Sequence, residues 1–300
     1  MAISYVKHAT VIEGKWNKNK YKVKKILGEG GIATVYLVED INKGRDYALK
    51  ITKDSISINR EYELLKKFHK VDIIVNAYEI DDWLVEQETY YFIVLEYIEG
   101  TTLKMYCKKN KLEKNIIIGI ILILLKGLEA FHSEEYIVGD LKPENIMIDK
   151  ARRKIKLIDL GGVVKKGDAI KEFTPQYDRA SWGCGKRISE DSYDIFSSMM
   201  IFVKLLLQEE LYPRKQSIQD IINKLKKMDL EGCVEAYISE GLIKNEKPLL
   251  YFIRRLKVLY DREIIKQQYK KSYLRNKRVN HMLTISVIFF VVTMIFILVD

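Results

Sequence analysis

The sequence predicts an α+β protein of two lobes, a small and mostly β-stranded first lobe and a larger helical second lobe, followed by a C-terminal transmembrane helix. Three observations predict it. Residues 21–96 carry short runs of Tyr, Val, Ile and Leu with period-two alternation, interrupted once by a helical stretch. From about residue 101 the pattern turns helical, and residues 115–132 are built on an unbroken apolar run from Ile116 to Leu125. Met282 to Val299 holds eighteen residues without a charge.

In chain order, residues 1–20 form an N-terminal extension. Strands are expected near 21–27, 35–39, 46–52, 74–80 and 90–96, with a helix over 57–69. The first lobe ends near residue 96 and the second runs from about 101 to 260. Lys126, Glu129 and an apolar core of only ten residues make 115–132 a buried helix rather than a membrane span. Residues 261–281 form a basic juxtamembrane segment, and 282–299 the anchor. A chain of 300 residues with 48% hydrophobic content can bury a large core. Cys107, Cys184 and Cys233 lack metal-ligand spacing, and their odd number suits a reducing compartment better than a disulfide framework. His8, His69, His132 and His281 form no cluster, and no internal repeat is visible.

The chemistry is concentrated in Asp140-Leu141-Lys142-Pro143-Glu144-Asn145 and, fourteen residues after Asn145, Asp159-Leu160-Gly161. One carboxylate can take a proton from an attacking hydroxyl, a Lys can neutralise charge growing on a transferred phosphate, and an Asn with a second Asp can hold Mg²⁺. Asp140, Lys142, Asn145 and Asp159 fit those roles in that order. The stretch Val138-Gly139-Asp140-Leu141-Lys142-Pro143-Glu144-Asn145 resembles the H-R-D-L-K-P-E-N loop of eukaryotic-type Ser/Thr protein kinases, and Asp159-Leu160-Gly161 resembles their D-F-G. The resemblance covers residues 20–260 and implies the two-lobed kinase fold with ATP and Mg²⁺ as cofactors, Mn²⁺ being the alternative metal.

It also implies roles upstream. Gly28-Glu29-Gly30-Gly31-Ile32-Ala33-Thr34-Val35 resembles the family's lid over the ATP phosphates, G-x-G-x-x-G-x-V, with Ala33 in place of the third Gly. Tyr47-Ala48-Leu49-Lys50 resembles the V-A-I-K strand whose Lys meets the α and β phosphates. Lys50 then needs a carboxylate from the next helix, and Glu61, eleven residues on, or Glu63 supplies it. Leu95-Glu96-Tyr97-Ile98-Glu99-Gly100 resembles the linker between lobes. Leu95 would stand behind the adenine, backbone groups of Glu96 and Ile98 would bond the base, and Val35, Ala48 and Met147 would cover its faces.

Thr174-Pro175-Gln176-Tyr177 resembles the G-T-P-x-Y element whose Thr contacts the catalytic Asp and Lys. Asp194-Ile195-Phe196-Ser197-Ser198 resembles the start of the helix whose buried Asp ties down the catalytic loop. The family's A-P-E element is not visible at Asp178-Arg179-Ala180-Ser181-Trp182, which weakens the peptide-binding side. Gly139 replaces the Arg that grips an activating phosphate, and no Ser or Thr precedes Thr174 after Asp159, so an enzyme not gated by phosphorylation of that segment is expected. Val138, in place of the His, can still pack on Leu160.

The end of the chain carries a separate signal. Arg254 to Arg278 holds ten Lys/Arg against two Asp/Glu, most of the net +10 of the whole chain. The positive-inside rule puts the catalytic lobes in the cytosol, on the cytoplasmic face of an inner membrane crossed once. Met1 to Gly14 includes Lys7, His8 and Glu13 and no apolar h-region, so no signal peptide is expected. The basic segment suits anionic lipid. Tyr260, Tyr269 and Tyr273 among the charges leave DNA or RNA as the alternative ligand. The function expected is a tail-anchored Ser/Thr protein kinase acting on protein substrates, similar to membrane-bound bacterial members without an outer sensor domain. A membrane-anchored pseudokinase scaffold and a small-molecule kinase on the same fold are the alternatives.

Overall fold

The structure is a computed structural model describing residues 6–149, 151–152, 154–228, 230, 232–243 and 247–299, with the side chains of 290–293 and 295–299 outside the description. The first lobe contains β1 (Val11–Glu13), β2 (Lys20–Glu29), β3 (Ala33–Asp40), β4 (Arg45–Thr52), α1 (Ser55–Lys67), β5 (Ala77–Val85) and β6 (Glu88–Glu96). Its six strands form one antiparallel sheet in the order β1-β2-β3-β4-β6-β5. Strand periodicity divides the residues between two faces. Tyr21, Val23, Tyr36, Val38, Leu49, Ile51, Phe92 and Val94 fill the lobe core, while Ala48 and Lys50, alternating with them on β4, line the cleft beneath the sheet.

Two expectations need correction here. The sheet begins before residue 21, because β1 pairs with β2 and Ile12 is fully buried. The turn that follows is fastened by the buried carboxylate of Asp81, which accepts the N–H groups of Trp16 (2.9 Å) and Asn17 (2.7 Å). The strand expected at 74–80 runs instead over Ala77–Val85. Residues 73–75 are apolar for another reason: they cross to the second lobe, where Ile73, Ile74 and Val75 join its core and the N–H of Val75 donates to Leu157. Helix α1 starts where Asp54 accepts the N–H groups of Ile56 and Ser57. Lys66 and Lys67 in its last turn complement the helix dipole.

The second lobe follows as β7 (Gly100–Thr102), α2 (Leu103–Lys109), α3 (Lys114–Ser133), β8 (Tyr136–Ile137), β9 (Ile146–Asp149), β10 (Lys154–Leu157), β11 (Val164–Lys165), α4 (Asp191–Leu207), α5 (Ile218–Lys227), α6 (Gly232–Ile243) and α7 (Leu249–Val299). Helix α4 is apolar on nearly every side because it is enclosed, residues 195–203 having no more than trace exposure, whereas α3 buries one broad face and leaves Ile116, Ile123, Lys126 and Glu129 exposed. Among the described residues α3 is the helix with the length and apolar content of a membrane span, and most of it is buried in this core.

Helix α7 continues unbroken for 51 residues. Its first turns bury Leu249, Phe252, Leu256 and Leu259 in the lobe. Lys114–Glu263 (2.8 Å) and Asn115–Gln267 (3.0 Å) then fasten it along α3. The expected boundaries near 260 and 281 therefore fall inside one helix, with no linker at either. From residue 268 the described side chains are exposed. The expected transmembrane helix is the end of α7, and most of its second half has side chains outside the described residues.

Gly100 leads from the interlobe linker into β7, and a Cβ there would stand 2.0 Å from the carbonyl oxygen of Ile148. Substituting Gly100→Ala should push β7 off β9 and cost about 1–3 kcal/mol in a denaturant titration. Gly31→Ala, where the added Cβ would meet nothing within 4 Å, should leave the midpoint nearly unchanged.

Candidate active site

A cleft of about 770 Å³ separates the lobes. Its roof is the turn joining β2 to β3. Gly28 and Glu29 end β2, the N–H of Gly30 donates to the carbonyl of Ala33 (2.9 Å), and a Cβ added at Gly28 or Gly31 would meet nothing within 4 Å. Ala33 is already a strand residue, paired with Thr52. Its extended backbone suits any side chain, which explains why a glycine is dispensable there.

At the inner end Val35, Ala48, Leu95, Ile98 and Met147 make an apolar slot. Glu96 turns its side chain away from the slot, accepting from Asn76 Nδ2 (3.0 Å) and from Arg152. Its N–H donates to the carbonyl of Asn76 (2.8 Å).

At the outer end three elements converge on Lys50. Its Nζ lies 2.7 Å from Glu61 of α1 and 3.1 Å from Asp159. Glu63, the other carboxylate considered for this role, is exposed and faces away. Burial works to lower the pKa of Lys50, but Glu61 and Asp159 outweigh it and hold the ammonium above its ordinary value. Burial pushes the Glu61 carboxyl up to about 7 against the pull of Lys50. Burial also acts to raise Asp159, but Lys50 and the N–H of Gly161 overcome it and hold that carboxyl below its usual range.

Asp140 stands across from this group. Its Oδ1 accepts from Thr174 Oγ1 (2.8 Å) and its Oδ2 from Lys142. Asn145 donates through Nδ2 to the carbonyl of Asp140 (3.2 Å), which turns its amide oxygen outward. The loop itself hangs on Asp194, a carboxylate with no exposed surface that accepts the N–H groups of Val138 (2.9 Å) and Gly139 (3.0 Å) and meets His132 Nε2 at 2.9 Å. Val138 and Leu160 pack in the same buried cluster.

The stretch where no A-P-E is visible nonetheless contains an anchor. Asp178 is fully buried and accepts from Ser181 Oγ (2.6 Å), Arg187 Nε (2.9 Å) and Tyr193 OH (2.9 Å). Burial would raise its pKa, but these donors, Ser181 first, hold it below the carboxylate range. Arg179, also buried, donates to the carbonyl of Lys186 (2.7 Å) and to Ser192 (2.6 Å). Sequence reading missed the pairing of Asp178 with Arg187, since its only signal is an Asp and an Arg nine positions apart in a loop.

The donors fit a hard cation. Asp159 and Asn145 offer oxygens at the cleft, and among the described residues no three His, Cys, Asp or Glu side chains form a closed protein cage. Mg²⁺ prefers such an open site, completed by water and substrate phosphates. A glycine-rich lid, an apolar slot, a paired Lys, a two-residue metal site and a carboxylate beside a Lys define a site for moving phosphate from a nucleotide to a hydroxyl.

Comparison with known proteins agrees. Residues 21–258 match the protein kinase domain. The serine/threonine-protein kinase YabT of Bacillus subtilis is 37% identical over 217 residues, 70% of this chain and 63% of that protein. PrkC of the same species is 31% identical over 158 residues, 49% of this chain and 23% of that protein. Cyclin-dependent kinase 7 of Caenorhabditis elegans is 29% identical over 235 residues, 71% and 67% of the two chains. The chain therefore belongs to the eukaryotic-type serine/threonine protein kinase family, whose cofactors are ATP and Mg²⁺. It spans less than two thirds of YabT and about a quarter of PrkC.

The raised pKa of Glu61 has a measurable sign. Since the folded value, about 7, exceeds the ordinary 4.5, ionising Glu61 opposes folding, and its contribution to stability is lost as pH rises through about 7. The charged pair that positions Lys50 is completed over that same window. In the free enzyme kcat/KM for ATP should rise with pH through about 7, and Glu61→Gln should flatten that limb while removing the matching loss of stability.

Proposed function

We propose that the protein is an ATP-dependent protein kinase that phosphorylates Ser and Thr hydroxyls of protein substrates at the cytoplasmic face of a membrane. The observation that carries the catalytic part is the joint placement of Lys50, Glu61 and Asp159 opposite Asp140, Lys142 and Asn145 in one cleft, with Thr174 bonded to Asp140. Adenine fits the slot formed by Val35, Ala48, Leu95, Ile98 and Met147, and the triphosphate lies under residues 28–33. Lys50 orients the α and β phosphates, with Glu61 keeping the ammonium aimed at them. Mg²⁺ held by Asn145 and Asp159 supplies charge neutralisation on the phosphate oxygens. Asp140 accepts the proton of the attacking hydroxyl as its oxygen bonds to the γ-phosphorus and the bond to the bridging oxygen breaks, releasing ADP. Lys142 balances charge on the transferred group, and Thr174 fixes the rotamer of Asp140.

A scaffold without catalysis has no chemical use for this set of charges held together at the cost of burial. With a generic protein substrate, labelled ATP and Mg²⁺, Lys50→Ala should lose about 10²–10³-fold in turnover with its circular dichroism unchanged. Asp159→Asn should fall to background. Wild-type rates in either folded variant would refute the assignment.

The membrane part rests on α7. Its last eighteen residues before Asp300 carry no charge, and at 1.5 Å per residue they reach about 27 Å, near the hydrocarbon thickness of a bilayer. Met282, Leu283 and Ile288 are more than half exposed. The ten basic residues just before favour the cytosolic side and anionic head groups, each contributing about 1 kcal/mol. Tyr269 and Tyr273, 74% and 67% exposed among these charges, favour nucleic acid as a second reading of the same segment. Full-length protein should resist extraction by high salt and alkali, and deletion of 282–300 should give a form that salt removes. A soluble full-length protein would overturn the anchor. Tight duplex DNA binding by residues 1–281, with indifference to anionic vesicles, would favour the second reading.

A further inference from the structure

Helix α1 holds the site at two adjacent residues. Glu61 reaches Lys50, and Arg60, one position earlier, donates from its guanidinium to the carbonyl of Val163, four residues beyond Asp159. Neighbouring residues on a helix point about 100° apart, so the two side chains leave one turn toward different partners. Glu61 binds the sheet, and Arg60 binds the segment that follows the metal loop. Rotation of α1 about its axis must break one contact or the other. The side chain of Val163 is fully buried, and its N–H is already committed to Leu160 (3.1 Å). Exposed carboxylates of Glu63 and Asp168 line the groove beside Arg60, yet the guanidinium bonds to the carbonyl.

The opposite side of the same segment is held by backbone. Gly139 has φ +78°, and a Cβ there would stand 2.8 Å from the carbonyl oxygen of Gly162. At Gly162 a Cβ would meet Asp140 Cβ at 3.0 Å. The catalytic loop and the segment after Asp159 thus touch where no side chain fits, and residues 159–173 contain no Ser, Thr or Tyr to phosphorylate. The segment is clamped between Gly139 and Arg60 by groups present in the unmodified chain.

We propose that Arg60 is a positioning residue for phosphoryl transfer: by tying α1 to the carbonyl of Val163 it keeps Glu61 on Lys50 without any phosphate on the segment. This rests on the kinase reading above. Arg60 touches no reacting atom and acts through Glu61.

The test compares Arg60→Met, which keeps length and loses the donors, with Arg60→Lys, alone and in a Glu61→Gln background. Measurements are kcat, KM for ATP, melting temperature, and hydrogen exchange of amides 55–67 in the nucleotide-free protein. Arg60→Met should lower kcat about 10- to 100-fold, the range for one charge-assisted hydrogen bond, and speed exchange in α1 with little change in melting temperature. Arg60→Lys should recover part of the loss. In the Glu61→Gln background Arg60→Met should cost less than about threefold, because the residue it positions is gone. Wild-type kcat in Arg60→Met, or the same fold loss in both backgrounds, would overturn the role. If the wild type transfers no phosphate, the kinase reading fails separately, and unchanged exchange in α1 would then dispose of the tie itself. Should Arg60→Met fail to fold, Arg60→Lys carries the test: a partial loss of kcat with faster exchange in α1 supports the tie, and wild-type kcat with wild-type exchange overturns it.

Discussion

The catalytic loop hangs on one carboxylate. Asp194 has no exposed surface, and a buried charge of that kind is tolerated only when donors surround it. It finds two backbone N–H groups from residues 138 and 139, the ring of His132 from α3, and the favourable end of its own helix, since it lies in the first turn of α4. Helices α3 and α4, packed together in the buried core, supply the base. Asp140 therefore stands one residue from a point fixed to the core, and its orientation is completed by Thr174 and Lys142.

From that point order spreads across the cleft. Gly162 lies against Asp140, Val163 is tied to Arg60, and Glu61 on the next position holds Lys50, which also meets Asp159. The lobes are joined behind the cleft as well, where residues 73–75 meet Leu157 and Glu96 meets Arg152. In other kinases a phosphorylated segment recruits an Arg next to the catalytic Asp to impose such order. Here that position is a left-handed glycine in close backbone contact with Gly162.

What was legible in the sequence follows from what the chemistry requires. Asp140, Lys142, Asn145 and Asp159 stood out together because phosphoryl transfer needs those residue types on two short loops, and the fold brings the four to one cleft. The strands were readable from alternation between the lobe core and its surface. Arg60 was not, since a basic residue on an amphipathic helix looks the same whether it meets water or a buried carbonyl. Asp178 and Arg187 were hidden for a related reason, because their pairing exists only once the loop has folded. Residues 73–75 misled because an apolar run reads alike in a strand and in a crossing between lobes. The boundaries near 260 and 281 rest on composition, which changes along α7 while its backbone does not, and the match to the kinase domain ends at residue 258.

The central claim is that this chain is arranged for transfer in its unmodified state. It is tested most directly by the initial rate of γ-phosphate transfer to a protein substrate by full-length protein shown by mass spectrometry to carry no phosphate. The account predicts phosphoserine and phosphothreonine in the substrate from the first turnovers, with no lag. A lag that ends only when residues 160–182 acquire phosphate, or release of inorganic phosphate with none on protein hydroxyls, would contradict it.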